Sequence, residues 1–437
     1  MTSREHTLPP KLAGTALSEA ESYGQSLAVV TTLFFMWGFL TSFNDILVPH
    51  LKSIFDLNYT SVMLIQFAFF SAYFLFSIPW ARIVDTIGYQ KTMVAGLVTM
   101  AVAAVLFVPA AASPSFALFL IALMILAAGI TGLQVAANPY VIVLGKPETA
   151  SSRLNLTQAF NSLGTTLGPA IGGLLILAGA PLAIEQLRRL SPEALHAYRV
   201  QEAASVKMPY VAISVALLLL AVTIAKSKLP TIEQAQNRVG RKTGDSIWKH
   251  PNLIFGAVGI FAYVGAEVSI GSFLVNYLGQ HDIAGFSARV AAGYVSFYWG
   301  GAMVGRFSGA AALQRFKTGH LLAVCAICTS ALVTVSMLTT GHTAMWSMLA
   351  VGFFNSIMFP SIFTLGVAGL GPLTSSGSGL LNMAIVGGAI VPVIQGAIAD
   401  RIGIHHAFFL PVICYVYIFL YALRGSAPQS DPYAKAA

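Results

Sequence analysis

Two acidic side chains, Asp45 and Glu267, stand inside long apolar runs, while the other carboxylates lie in tails, loops or helix ends. A charge in an apolar interior is costly unless it is paired or faces a polar cavity. Such a carboxylate can bind a cation, carry a proton, or accept hydrogen bonds from a polar ligand. The other interior polar groups are mostly amides. Asn44 adjoins Asp45, and Gln134 and Asn138 stand four apart. Asn155, Gln158 and Asn161 recur at three-residue spacing, which reads as one stripe of a helix. Asn276, Asn355 and Asn382 follow later in the chain. Amides donate and accept at once. A cavity lined by them, with Trp37, Phe43, Tyr263, Tyr298 and Trp299 nearby, suits a neutral polyhydroxylated ligand. Hydrogen bonding between helices is the competing role for each amide, and packing is the competing role for each aromatic.

Other chemistries are poorly served. His50, His250, His281, His320, His342, His405 and His406 fall at helix ends, which argues against a histidine relay. No lysine or arginine is read as lying deep in a helix, so an anionic substrate is disfavoured. Cys325 and Cys328 form a C-x-x-C in an apolar helix, where packing explains them. No nucleophile–base pair or metal-ligand cluster occurs within the runs. An enzyme is not expected, and neither is a cofactor other than a coupling ion.

The elements that position these groups follow from composition. Of 437 residues, 56% are hydrophobic and 9% charged, against about 25% charged in a soluble domain. The apolar runs are continuous rather than alternating, which excludes a β-barrel. Each spanning helix needs roughly 20 apolar residues, and twelve such runs are present. The expected fold class is an all-α polytopic membrane protein. It divides into a tail 1–25, a six-helix half 26–225, a polar linker 226–249, a second half 250–424 and a tail 425–437. With the N-terminus in the cytoplasm, seventeen basic residues, Arg306 among them, fall on the inner side and seven on the outer. That excess places both termini in the cytoplasm. It also explains the net charge of +8 without nucleic acid. A long outer loop, 180–207, is expected to form a short surface helix.

The halves repeat. Pro139 and Leu144-Gly145 recur as Pro360 and Leu365-Gly366, 221 residues on, which sets Gln134 against Asn355. Gly164 and Pro169 recur as Gly387 and Pro392 at an offset of 223, and Asp45 meets Glu267 at 222. Two parallel six-helix halves around a central site mark the major facilitator fold. Gly164, Gly168, Gly172, Gly173, Gly387 and Gly388 provide small-residue surfaces for close packing. The segment from Arg82 through Asp85 and Gly88 to Lys91 reads as a gate, with Arg82 and Asp85 forming inter-helix ion pairs.

Several stretches are longer motifs. They are Phe35-Met-Trp-Gly-Phe-Leu-Thr-Ser-Phe-Asn44-Asp45, Ala136-Ala-Asn138-Pro139-Tyr140, and Arg153-Leu-Asn155-Leu-Thr-Gln158-Ala-Phe-Asn161-Ser-Leu-Gly164. Tyr263-Val-Gly-Ala-Glu267, Gly271-Ser-Phe-Leu-Val-Asn276-Tyr277 and Phe354-Asn355-Ser-Ile-Met-Phe-Pro360 follow. Together they resemble the fucose:proton symporter family of the major facilitator superfamily, in its glucose/galactose transporter branch. The resemblance spans nearly all of 26–424. It implies a monomeric sugar:cation symporter of a bacterial inner membrane that works by alternating access. The fucose member uses acids on helices 1 and 4. The first matches Asp45, and the second falls at Gln134, which cannot titrate. Glu267 is the candidate for the missing acid, with proton or sodium as the driving ion and sodium, if used, near Asp45. The expected substrate is glucose or galactose, bound by Asn44, Gln134, Asn138, Gln158, Asn161, Asn276 and Asn355. The alternative is a drug:proton antiporter of the same fold.

Overall fold

The computed structural model describes residues 23–39, 42, 59–112, 115–176, 189–195, 197–198, 207–230 and 246–425. Helix α1 covers 23–39 of these. Then come α2 (Tyr59–Ile87), α3 (Tyr89–Ala112), α4 (Phe116–Val143), α5 (Ala150–Ile176) and α6 (Lys207–Lys226). The second set is α7 (Pro251–Leu278), α8 (Ala288–Ala312) and α9 (Thr318–Leu338), followed by three interrupted helices. These are α10 (Gly341–Asn355 and Met358–Val367), α11 (Thr374–Met383 and Gly387–Ile402) and α12 (Ile404–Ala407 and Phe409–Gly425). The described residues contain no strand. Asn44, Asp45 and Phe43 lie outside them, as do the terminal tails and 231–245 of the linker. Within the long loop, 192–195 and 197–198 are helical among the described residues.

Among the described residues, nine helical spans are long and apolar enough to cross a membrane. Helices α5 and α8 are not among them, because hydroxyl, amide and glycine residues interrupt their apolar runs. That polarity has a use. The two helices pack on each other across the boundary between the halves, and α2 packs on α11 in the matching position. Within the halves, α3 packs on α4 and α6, as α9 packs on α10 and α12. The pattern is the same in both.

Prolines shape the interior. A proline has no N–H to give the carbonyl four residues earlier. In α4, Pro139 therefore leaves the Val135 carbonyl free, and Ser378 of α11 donates to it at 3.0 Å. In α10, Pro360 does the same to Ser356, and the helix breaks between Asn355 and Met358. The freed Ser356 carbonyl accepts from Arg306 Nε at 3.3 Å. The repeated prolines thus create one acceptor socket in each half.

The halves meet at the end of the bundle where α2 joins α3. Ser152 Oγ donates to the Ala310 carbonyl at 2.7 Å, and Thr318 Oγ1 to Ser151 Oγ at 2.8 Å. Ser375 Oγ donates to Asp85, so the Arg82–Lys91 segment does contact the other half through its carboxylate. Arg82 itself is exposed.

Candidate functional site

The site grows from Glu267 in the interior of α7. One turn earlier, Tyr263 donates its hydroxyl to Glu267 Oε1 at 2.7 Å. Arg306 Nη2 of α8 stands 3.9 Å from the same oxygen, and each side chain of the pair is 13% exposed. Arg306 also donates through Nη1 to Ser162 Oγ of α5 and through Nε to the Ser356 carbonyl of α10. Asn155 Nδ2 of α5 closes the arrangement on the Arg306 carbonyl at 2.7 Å. The guanidinium therefore touches both halves.

Position along its run assigns Arg306 to a helix end and leaves the interior without a cation. The structure corrects this. Helix α8 continues to Ala312, and the long side chain of Arg306 runs inward from its last two turns. The inference against an anionic ligand loses its original basis. Charge balance replaces it: the Glu267–Arg306 pair is neutral as a unit, so the site still favours an uncharged ligand. Burial works against each charge, and the partner together with the hydroxyl donors works for it.

The amides divide into two groups. Gln134 is 2% exposed and donates to the Tyr73 hydroxyl of α2 at 2.8 Å. Asn355 is 1% exposed and donates to the Tyr298 hydroxyl of α8 at 3.0 Å. The repeat register that paired Gln134 with Asn355 therefore pairs two equivalent struts between helices. Gln158 Nε2 lies 3.5 Å from Asn138 Oδ1, and Asn161 Nδ2 donates to the Phe34 carbonyl of α1 at 2.9 Å. Asn138 Nδ2, Asn155 Oδ1, Asn355 Oδ1 and Asn382 Oδ1 are buried with no partner among the described residues. Buried polar atoms seldom stay unpaired, so these amides offer a free donor in the first half and free acceptors in both. Asn276 is exposed, about 13 Å further along α7 than Glu267. It does not join the cluster.

The three-residue stripe on α5 does not hold as one face. Asn155 meets α8, Gln158 meets α4 and Asn161 meets α1. Sequence reasoning also missed Ser162, Tyr73 and Arg306. A usable signal existed for the tyrosines, since Tyr73 and Tyr298 stand on α2 and α8, which correspond in the repeat. The aromatics Trp37, Tyr263 and Tyr298 are buried, whereas Trp299 is 43% exposed.

The struts predict a stability effect. In Tyr298→Phe, Asn355 loses its acceptor and both ends of a buried amide are left unpaired. The expected cost is about 1–3 kcal/mol, and Tyr73→Phe should behave alike at Gln134. Thermal melting in detergent, followed by size-exclusion chromatography, reads both. An unchanged midpoint in both variants would show the struts to be dispensable.

Comparison with known proteins agrees with this architecture. The family model described as Major Facilitator Superfamily matches residues 28–386. The chain is 52% identical over 412 residues to the "Glucose/galactose transporter" of Brucella abortus biovar 1 (strain 9-941), covering 94% of this chain and 97% of that one. It is 35% identical over 412 residues to the "L-fucose-proton symporter" of Escherichia coli (strain K12), covering 92% and 94%. The structure matches that of a Major Facilitator Superfamily transporter, FucP, in the outward conformation. The TM-score is 0.85 at 34% identity, with 94% of this chain and 100% of that chain covered. With that match over most of its length, the same twelve-helix arrangement and the same two repeated halves, the chain belongs to the Major Facilitator Superfamily.

Proposed function

We propose that the chain is a symporter that imports a neutral monosaccharide, glucose or galactose, by alternating access, driven by a proton or sodium gradient. The observation that carries the reading is the charge-balanced Glu267–Arg306 pair, set among amides of both halves with a donor and acceptors still free. A hexose presents several hydroxyls, each able to donate and accept, and matches that lining. The relatives' names support the same substrate class, and they give no support to the drug:proton antiporter alternative.

In this reading Asn44, Gln134, Asn138, Gln158, Asn161 and Asn355 hydrogen-bond the sugar, and Asn276 meets it nearer the end of the bundle away from the closed one. Asp45 binds the coupling cation or a sugar hydroxyl, and Glu267 is the second ion-linked group. Both termini lie in the cytoplasm, on the basic side of the inner membrane. The end closed by α5–α8 and α2–α11 is then the cytoplasmic end, and the state is outward-facing. Arg82 and Asp85 belong to that closed gate.

The test is uptake of radiolabelled hexose into proteoliposomes, with proton and sodium gradients imposed separately. One gradient should drive accumulation of glucose or galactose. Failure of both gradients with every hexose would overturn the reading. Asp45→Asn should abolish accumulation and leave exchange; wild-type accumulation in that variant would remove Asp45 from the coupling role.

A further inference from the structure

The two proline-made sockets are filled differently. In the first half, the Val135 carbonyl of α4 takes the Ser378 hydroxyl directly from α11 of the other half. The register of the repeat places Asn155 of α5 where Ser378 stands, and Ser356 of α10 where Val135 stands. A direct contact of Asn155 with Ser356 would complete the symmetry. Instead Arg306 is interposed: its Nε fills the Ser356 socket, its own carbonyl takes Asn155 Nδ2, and its Nη1 reaches Ser162. The first socket is thus closed by a neutral hydroxyl–carbonyl bond. The other is filled by a cation held by a carboxylate.

We propose that Arg306 is a charge-dependent latch, which ties the halves together at the closed end while Glu267 is ionised and lets go when Glu267 is neutralised. The proposal rests on the symport reading of Glu267 and names how its charge reaches the gate. Ionised Glu267 fixes the guanidinium plane against α7, so that Nε and Nη1 are aimed at Ser356 and Ser162. With the carboxylate neutral, Arg306 becomes an uncompensated cation in a site that leaves it 13% exposed. It gains by turning toward water, and the α5–α8 contact loses the Arg306–Ser162 bond, keeping only the neutral bonds of Ser152 and Asn155 to the α8 backbone. The other titratable or charged groups facing Glu267 are Tyr263 on its own helix, Tyr298 on α8 and Tyr415 on α12. Helices α10 and α11 add none among the described residues. Phenols and a guanidinium ordinarily titrate well above neutrality. The latch therefore answers to the carboxylate.

Spin labels at Glu148 and Gln314, exposed residues on the two halves at the closed end, would read the gate by double electron–electron resonance. Cys325, Cys328 and Cys414 are first replaced by serine. No sugar is present, so this result stands apart from the uptake test. Wild-type protein should show mainly the short distance. Glu267→Gln and Arg306→Ala should each raise the open fraction, roughly tenfold in open-to-closed ratio. The double variant should add nothing beyond either single change, the mark of two residues acting as a unit. Arg306→Lys should restore part of the closed population. Ser378→Ala, on the neutral side, should add its effect independently in the Glu267→Gln background. Acid titration should open the wild type and leave Glu267→Gln unmoved. Additive effects of Glu267→Gln and Arg306→Ala, or a gate that Glu267→Gln leaves closed, would overturn the latch.

Discussion

Glu267→Gln is expected to abolish accumulation of hexose against its gradient while sparing exchange of labelled for unlabelled sugar. Glutamine keeps the shape of the side chain, and its carbonyl oxygen can still accept the Tyr263 hydroxyl that Glu267 accepts at 2.7 Å. What it removes is the charge. Coupling to a cation gradient needs a group that is occupied on one face and vacated on the other, and an amide cannot alternate in that way. Exchange needs only that the loaded carrier reorient. The substitution also strands Arg306, now an unpaired cation in a mostly buried site. Breaking a buried pair costs about 3–5 kcal/mol, and the partial exposure of both partners, 13% each, lowers that figure. Glu267→Gln combined with Arg306→Gln restores charge balance and separates lost stability from lost coupling. If the double variant recovers the melting temperature but not accumulation, the carboxylate itself does the coupling. Wild-type accumulation in Glu267→Gln would remove it from that role.

Glu267 was legible because charge is scarce. In an interior with almost no ionisable groups, a carboxylate in the middle of an apolar run has few bland explanations. Arg306 was not legible by the same rule, for a reason of length. A residue within two turns of a helix end counts as belonging to the water, yet an extended arginine reaches several ångströms along or across the bundle. Its partners, Ser162, Ser356 and Glu267, come from three other helices, and no sequence spacing announces them. The repeat was more informative. Its offset of 221 set Pro139 against Pro360 and Gln134 against Asn355, and the structure shows what the matched pairs do: the prolines free a carbonyl in each half and the amides brace a tyrosine in each. The stripe Asn155, Gln158 and Asn161 misled for a geometric reason. Three residues turn a helix by about 300°, so each step falls back about 60°, and the first and last members point about 120° apart. Three-residue spacing sustained over two steps serves three neighbours rather than lining one cavity.

Gly164→Ala is expected to destabilise the fold and stop transport, a large effect for one methyl group. A Cβ at Gly164 would overlap the Phe35 carbonyl oxygen and lie 2.7 Å from the Phe39 amide nitrogen. Both are backbone atoms of α1, so no rotamer change relieves the clash and the whole helix must move. Overpacking of this kind costs about 1–3 kcal/mol or more. The displaced helix carries Trp37 and leads on toward Asp45, so the site shifts with it. The other half makes the same demand. A Cβ at Gly387 of α11 would overlap the Phe261 carbonyl of α7 and lie 2.9 Å from Phe261 Cα, six residues before Glu267. Gly293 of α8 is the control, because a Cβ there meets nothing within 4 Å. Gly293→Ala should be neutral, or more stable by up to about 1 kcal/mol from helix propensity. Melting in detergent and uptake in proteoliposomes rank the three. Wild-type melting and transport in Gly164→Ala would show that α1 and α5 do not approach this closely. A loss at Gly164 and Gly387 with none at Gly293 would mean that backbone contact, rather than glycine flexibility, is what the repeated glycines supply. Rigid halves of that kind can transmit a change at one carboxylate to a gate several helical turns away.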